Sequence, residues 1–291
     1  MRESSVIDLA GRPIIVTGGG SGLGQSMCLA LARANALVVI AEINPTHISE
    51  TMALAQQQGL QGRLCPAVTD VTDPAACETL ASTTIERYGT VFGLINCAGR
   101  LYKFNIGALE ETNLAKDVAG WKAVFDLNVH GAFFATRAVI PEMVKNRLGR
   151  IINITTSFGT MQRSGEMPYG ASKAALEALT VAWAGELVHH GITVNALLPG
   201  GTTDTRLFSD KPGEGVRAPG NKLINPTVMG APAVWLMSDL SQGYSGKRII
   251  ASRWNPENTP DAADAGGNAG WLVPEGQQGI EGLQTTASVR R

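Results

Sequence analysis

The chain has 291 residues, 44% of them hydrophobic and 17% charged, with 34 glycines and a formal net charge of −1. That length and composition suit one large α/β domain or two small ones. The charge gives no electrostatic reason to expect nucleic acid or an anionic membrane surface as partner, and no apolar run is long enough to cross a bilayer.

In chain order, the start MRESSVIDLAGRPIIV lacks a basic segment followed by a long apolar core, so no secretory signal is expected. β-Branched runs then alternate with segments of helical spacing to about residue 250. Strands are expected at 13–18 (PIIVTG), 36–42 (ALVVIAE), 63–71 (RLCPAVTDV), 91–96 (VFGLIN), 149–155 (GRIINIT), 192–198 (ITVNALL) and 247–252 (KRIIAS). Between them, segments such as GQSMCLALARA, DPAACETLASTTIERY and GWKAVFDLNVHGAFFATRAVIPEMVKN have helical spacing of apolar residues. This alternation predicts a doubly wound parallel sheet with helices on both faces, in one domain over residues 1–254.

Two stretches break the rhythm. Residues 200–225, rich in Gly, Pro and charge, read as a long loop. Residues 255–291 lose periodicity and read as an irregular tail, partly disordered or wrapped on the surface, with Trp271, Leu272 and Val273 as its apolar anchor. Cys28, Cys65, Cys77 and Cys97 form no CxxC pair and read as thiols in a reducing compartment, which predicts a cytoplasmic protein. His47, His130, His189 and His190 show no ligand spacing, so no metal site is expected.

The first strand runs into TGGGSGLG (17–24) and then a helical pattern. Glycines there let the backbone approach a pyrophosphate, and the helix N-terminus offers free N–H groups to its charge. Thr17, Gly18, Ser21, Gly22, Leu23 and Gly24 are therefore candidate dinucleotide contacts. The second strand ends at Glu42, twenty positions after Gly22, where a carboxylate accepts hydrogen bonds from adenosine ribose hydroxyls and repels a 2′-phosphate. NAD is expected in preference to NADP.

Tyr169 and Lys173 stand four apart in YGASK, at the start of a predicted helix whose apolar stripe is Leu176, Leu179, Trp183 and Leu187. A free tyrosine has a pKa of about 10. A neighbouring ammonium favours the phenolate and is expected to bring that value toward neutrality, giving an acid–base pair for a carbonyl or an alcohol.

Together, TGGGSGLG, DV, NCAG, the asparagine of FDLNVHG, TTS, YGASK and PG resemble the short-chain dehydrogenase/reductase family, in its compact single-domain branch, over residues 10 to about 250. The resemblance implies a Rossmann fold and hydride transfer between nicotinamide and a carbonyl or alcohol carbon of a small substrate. It implies Tyr169 as general acid/base, Lys173 on the nicotinamide ribose, and Asn128 holding a water that links the lysine to solvent. It also implies Asp70 and Val71 as the adenine-contacting pair, and Asn96, Ala98 and Gly99 in a turn under the adenine where Cys97 replaces an asparagine. Pro199 and Gly200 would form the turn beside the nicotinamide. PGGTTDT sets its last threonine one step late, leaving Thr203 or Thr205 to contact the carboxamide.

The family's catalytic serine falls at Thr156 by count from the tyrosine, with Ser157 beside it. Adjacent side chains on a strand face oppositely, which favours Thr156, and a local bulge would favour Ser157. A homo-oligomer, dimer or tetramer, built on the helices carrying Asn128 and Tyr169, is implied by the resemblance alone. Two other readings remain open here: a 3-oxoacyl thioester reductase, and a non-catalytic dinucleotide-binding regulator on the same fold.

Overall fold

Alternation along one strand divides the core in two. In the computed structural model, which describes residues 7–107, 113–207 and 223–255, strand β1 (Pro13–Thr17) is buried at every position. A central parallel strand covered on both faces must be. Successive side chains point to opposite faces. Ile14 and Val16 join Met27, Leu31 and Leu236 on one side, and Ile15 joins Leu94, Val139 and Met143 on the other.

Around β1 lie β2 (Leu37–Glu42), β3 (Leu64–Val68), β4 (Gly93–Asn96), β6 (Gly149–Ile154), β8 (Ile192–Leu198) and β9 (Arg248–Ile250). Their order is β3-β2-β1-β4-β6-β8-β9, and every pairing is parallel. The two-residue strands β5 (Lys103–Phe104) and β7 (Met167–Pro168) form a separate antiparallel pair. Helices α1 (Gly22–Arg33), α2 (Pro45–Gln57), α3 (Pro74–Tyr88), α4 (Leu114–Phe125), α5 (Ala132–Asn146), α6 (Phe158–Gln162), α7 (Tyr169–Leu187) and α8 (Gly230–Leu236) complete the Rossmann arrangement. Strand order reverses between β1 and β4, which opens a crevice at the carboxyl ends of the strands. No helix among the described residues is long and apolar enough to cross a membrane.

The expected strands appear, mostly shortened. The one expected over 63–71 ends at Val68: Thr69 N still donates to the Glu42 carbonyl at 3.0 Å, but Asp70 Oδ1 then turns the chain by accepting from Thr72 N at 2.9 Å and Thr72 Oγ1 at 2.7 Å. The long helical pattern over 120–146 is broken by a π-helical turn, Asp126–Gly131. Helix α2 was not anticipated. Asn44 caps it, accepting from Thr46 N at 2.9 Å, and Pro45 starts it. The stripe on α7 also differs from expectation. Leu176 and Leu187 are buried, Leu179 and Trp183 only half so, and the buried face includes Tyr169, Lys173, Glu177 and Thr180. Most of the loop expected at 200–225, and the tail with Trp271, Leu272 and Val273, lie outside the described residues.

Candidate active site

The glycine turn lies where β1 meets α1 and leaves the backbone bare for sterically evident reasons. Gly18 has φ +66°, and a Cβ there would come within 2.9 Å of Ala98 Cα. A Cβ on Gly24 would lie 2.1 Å from the Gly18 carbonyl oxygen. Ser21 caps α1 with extended backbone and makes no side-chain capping hydrogen bond, so nothing of its own covers the first-turn N–H groups. Leu23 packs partly against the core. A pyrophosphate fits this bare, electropositive turn.

Thr17 is spent internally. Its Oγ1 donates to the Ile95 carbonyl at 3.3 Å and accepts from Cys97 N at 3.0 Å and Ala98 N at 3.1 Å, fastening the turn after β4 to β1. Asn96 is likewise a sheet residue: its Nδ2 donates to Thr136 Oγ1 at 3.0 Å and Asn153 Oδ1 at 2.8 Å. The Asn96 amide group is thus committed inside the sheet, and the turn expected under an adenine is left with its backbone to offer. Of the two threonines expected at the carboxamide, Thr203 donates to the Gly201 carbonyl at 3.2 Å, while Thr205 packs against Gly22 and lines a groove of about 270 Å³ with Ser21 and Gly22. Gly200, with φ +97°, backs onto Ser252, whose N donates to the Pro199 carbonyl at 3.1 Å.

Glu42 ends β2 beside this turn. Its Oε1 accepts from Asn44 N at 3.1 Å, and a Cβ on Gly20 would sit 2.7 Å from its Cγ. Val71 is buried against Gly131 of the π-helical turn. Asp70 stays exposed in the turn before α3.

On the other side of the crevice, the end of β6 faces α7. The Thr156 hydroxyl lies near enough to the Tyr169 phenol to oppose the rise that burial imposes on it. Ser157 instead caps α6, with its Oγ 3.2 Å from Thr160 N and 2.9 Å from Thr160 Oγ1. Burial pushes the Tyr169 phenol up to about 12, with Thr156 acting against that rise and Glu166 and Cys97 adding to it. Burial also brings the Lys173 amine down to about 8, and its Nζ donates to the Ile154 carbonyl at 2.8 Å. The expected lowering of the phenol by the neighbouring ammonium is therefore corrected. Desolvation is the larger effect for both groups.

Asn128 lies in the π-helical turn, which widens the helix toward α7. Its Oδ1 accepts from Arg100 N at 2.9 Å, and its Nδ2 donates to the Arg100 carbonyl at 3.1 Å and to Ser172 Oγ at 3.0 Å. A Cβ on Gly99 would come 3.3 Å from Asn128 Oδ1 and 3.6 Å from Lys173 Nζ, so these three residues meet. The Cys97 thiol is pushed up to about 12 by burial, with Lys173 opposing.

Four charged residues near this site gave no local signal in the sequence. Lys103 and Glu166 pair beside the β5–β7 contact that seats the chain before Tyr169. Glu177 and Arg248 pair beneath Thr156. No cluster of three or more His, Cys, Asp or Glu suited to a metal occurs among the described residues.

Comparison with known proteins points to one family. A family model described as short chain dehydrogenase matches residues 12–214. The 3-oxoacyl-(acyl-carrier-protein) reductase FabG of Thermotoga maritima is 30% identical over 245 residues, covering 83% of this chain and 96% of its own. Glucose 1-dehydrogenase 2 of Bacillus subtilis is 27% identical over 250 residues, covering 84% and 94%. A solved Sinorhizobium meliloti protein, described as a candidate short-chain alcohol dehydrogenase, superposes with a TM-score of 0.71 at 30% identity, covering 84% of this chain and 96% of that one.

Proposed function

Because the chain belongs to the short chain dehydrogenase family and is an oxidoreductase that transfers hydride to or from a nicotinamide dinucleotide, we propose that its cofactor is NAD and its substrate a small ketone or secondary alcohol. The observation that carries this reading is the convergence of Thr156, Tyr169 and Lys173 on the end of β6.

The dinucleotide would lie over residues 18–24, with Ser21, Gly22, Leu23 and Gly24 at its pyrophosphate and Glu42 on its adenosine ribose. Asp70 and Val71 would flank the adenine, with the backbone of Ala98 and Gly99 beneath it. Pro199, Gly200 and Thr203 or Thr205 would stand at the nicotinamide, and Thr205's place against Gly22 favours Thr205. Bound there, the nicotinamide supplies or accepts the hydride. Glu42 sets the preference for NAD, since its carboxylate pairs with ribose hydroxyls and repels a phosphate at the same point.

Tyr169 handles the proton. With a phenol near 12, it stands protonated at neutral pH and is ready to give that proton to a carbonyl oxygen as charge develops there. Thr156 supplies a second hydrogen bond to the same oxygen and holds it beside the phenol. Lys173, able to be charged below about pH 8, steadies the phenolate left behind. Asn128 holds the loop after β4 against α7 and lies on the route by which a water would return the proton.

Exposed Val118, Trp121, Phe133 and Val181, on α4, α5 and α7, support a homo-oligomer built on these helices. The four free cysteines support a reducing, cytoplasmic setting. The retained Tyr169 and Lys173 weigh against a non-catalytic regulator. The test is NADH absorbance with a panel of small ketones, with NADPH and 3-oxoacyl thioesters as the other arms. Turnover of ketones with NADH supports the proposal; turnover confined to NADPH and thioesters contradicts it.

A further inference from the structure

Three residues on one face of α7, spaced four apart, hold the end of β6. The Tyr169 phenol is influenced by the Thr156 hydroxyl, Lys173 Nζ holds the Ile154 carbonyl at 2.8 Å, and Glu177 Oε1 accepts from Thr155 Oγ1 at 2.9 Å. Glu177 is fully buried and takes a second hydrogen bond on the same oxygen from Arg248 Nε, at 2.8 Å. Arg248, 3% exposed on β9, sends Nη2 to the Thr156 carbonyl at 3.0 Å. Its Cζ also stacks 3.9 Å from the centre of the Phe158 ring.

One guanidinium thus holds the peptide after Thr156 and the ring two residues on, and through Glu177 it steadies the hydroxyl of the residue before. Lys173 holds the peptide before Thr155. With the peptide after Thr156 held, and Thr155 fixed by its side chain and by the peptide before it, the Cα–Cβ direction of Thr156 is restricted. Stability is a poor reason for such a pair, because desolvating two charges costs about as much as their attraction returns. Glu177 Oε2 is, moreover, buried without a hydrogen-bond partner among the described residues. A planar fork that fixes directions is what a guanidinium offers and an ammonium does not.

We propose that the Arg248–Glu177 pair is a positioning device that aims the Thr156 hydroxyl at the substrate oxygen beside Tyr169. This rests on the reading of Thr156 and Tyr169 given above. Neither charged residue touches substrate; both act through Thr156.

The test is a mutant cycle on the full chain with NADH and an accepted ketone. Its members are Thr156→Ala, the apolar replacement Glu177→Leu/Arg248→Met, and the two combined. Removing both charges together avoids leaving one buried and alone. The paired replacement is expected to lower kcat by about tenfold or more, since small misplacements of a catalytic group are costly, while the KM for NADH and the melting temperature stay close to the parent's. In the Thr156→Ala background, the same replacement is expected to cost less than about twofold, because the residue it acts through is gone.

Equal losses with and without Thr156, or an undiminished kcat in the folded paired variant, overturn the inference. A Thr156→Ala enzyme as fast as the parent overturns instead the reading of the site on which it rests. Should the paired variant fail to fold, Arg248→Lys runs the same cycle, because it keeps a charge opposite Glu177 but cannot reach both Glu177 and Thr156.

Discussion

Lys173 reaches across from α7 to donate from Nζ to the Ile154 carbonyl at 2.8 Å, two residues before Thr156. The ammonium is thereby fixed at the end of β6, deep enough that burial lowers it from 10.5 to about 8.

That value has a consequence for stability. The folded pKa lies below the ordinary one, so the cost of burying the charge is present in full below about pH 8. It is relieved as pH rises toward 10.5, where the unfolded chain still binds the proton that the folded chain has released. Lys173→Met is expected to remove this contribution. Urea unfolding at pH 8 and pH 10 should show the parent gaining on the variant by up to about 1.4 kcal/mol per pH unit. Keeping to that window avoids Tyr169, whose raised value makes stability fall above pH 10. Parallel pH curves for parent and variant would contradict the assignment.

Thr156 and Ser157 should separate cleanly. Thr156→Ala is expected to lower kcat by about 10²-fold, as loss of one hydrogen bond to a reacting oxygen does. Ser157→Ala removes the cap of α6 and should cost about 1 kcal/mol of stability, with kcat close to the parent's. Steady-state kinetics and denaturant titration of both variants decide the matter. A slow Ser157→Ala enzyme beside a fast Thr156→Ala enzyme would reverse the roles.

What the sequence disclosed about this site, and what it hid, follows from distance along the chain. Tyr169 and Lys173 were legible because four residues of one helix bring them to one face. The glycine turn was legible because strand, glycines and helix follow without interruption. The strands showed through their β-branched runs, and only their ends were misjudged, as where Asp70 turns the chain after Val68. Helix α2 was harder to see because its buried positions are only Ile48, Thr51 and Ala55, too weak an apolar stripe to stand out. Arg248 and Glu177 lie 71 residues apart, and nothing local marks either one. The choice between Thr156 and Ser157 needed the cap of α6, and the high phenol pKa needed the burial of Tyr169. Both are properties of packing rather than of spacing.

Glu42→Ala tests cofactor choice. Loss of the carboxylate should weaken NADH by about tenfold, the worth of one charge-assisted hydrogen bond, and should leave NADPH equal or tighter. Binding titrations with each cofactor measure the ratio. An unchanged preference would place the determinant elsewhere.

The most direct measurement of the central claim is single-turnover hydride transfer in Tyr169→Phe, with NADH binding followed in the same sample. Removing only the phenolic oxygen is expected to leave NADH affinity unchanged and to slow transfer by about 10²–10⁴-fold, the usual contribution of a positioned proton donor. A Tyr169→Phe enzyme that binds NADH and transfers hydride at the parent's rate would contradict the account.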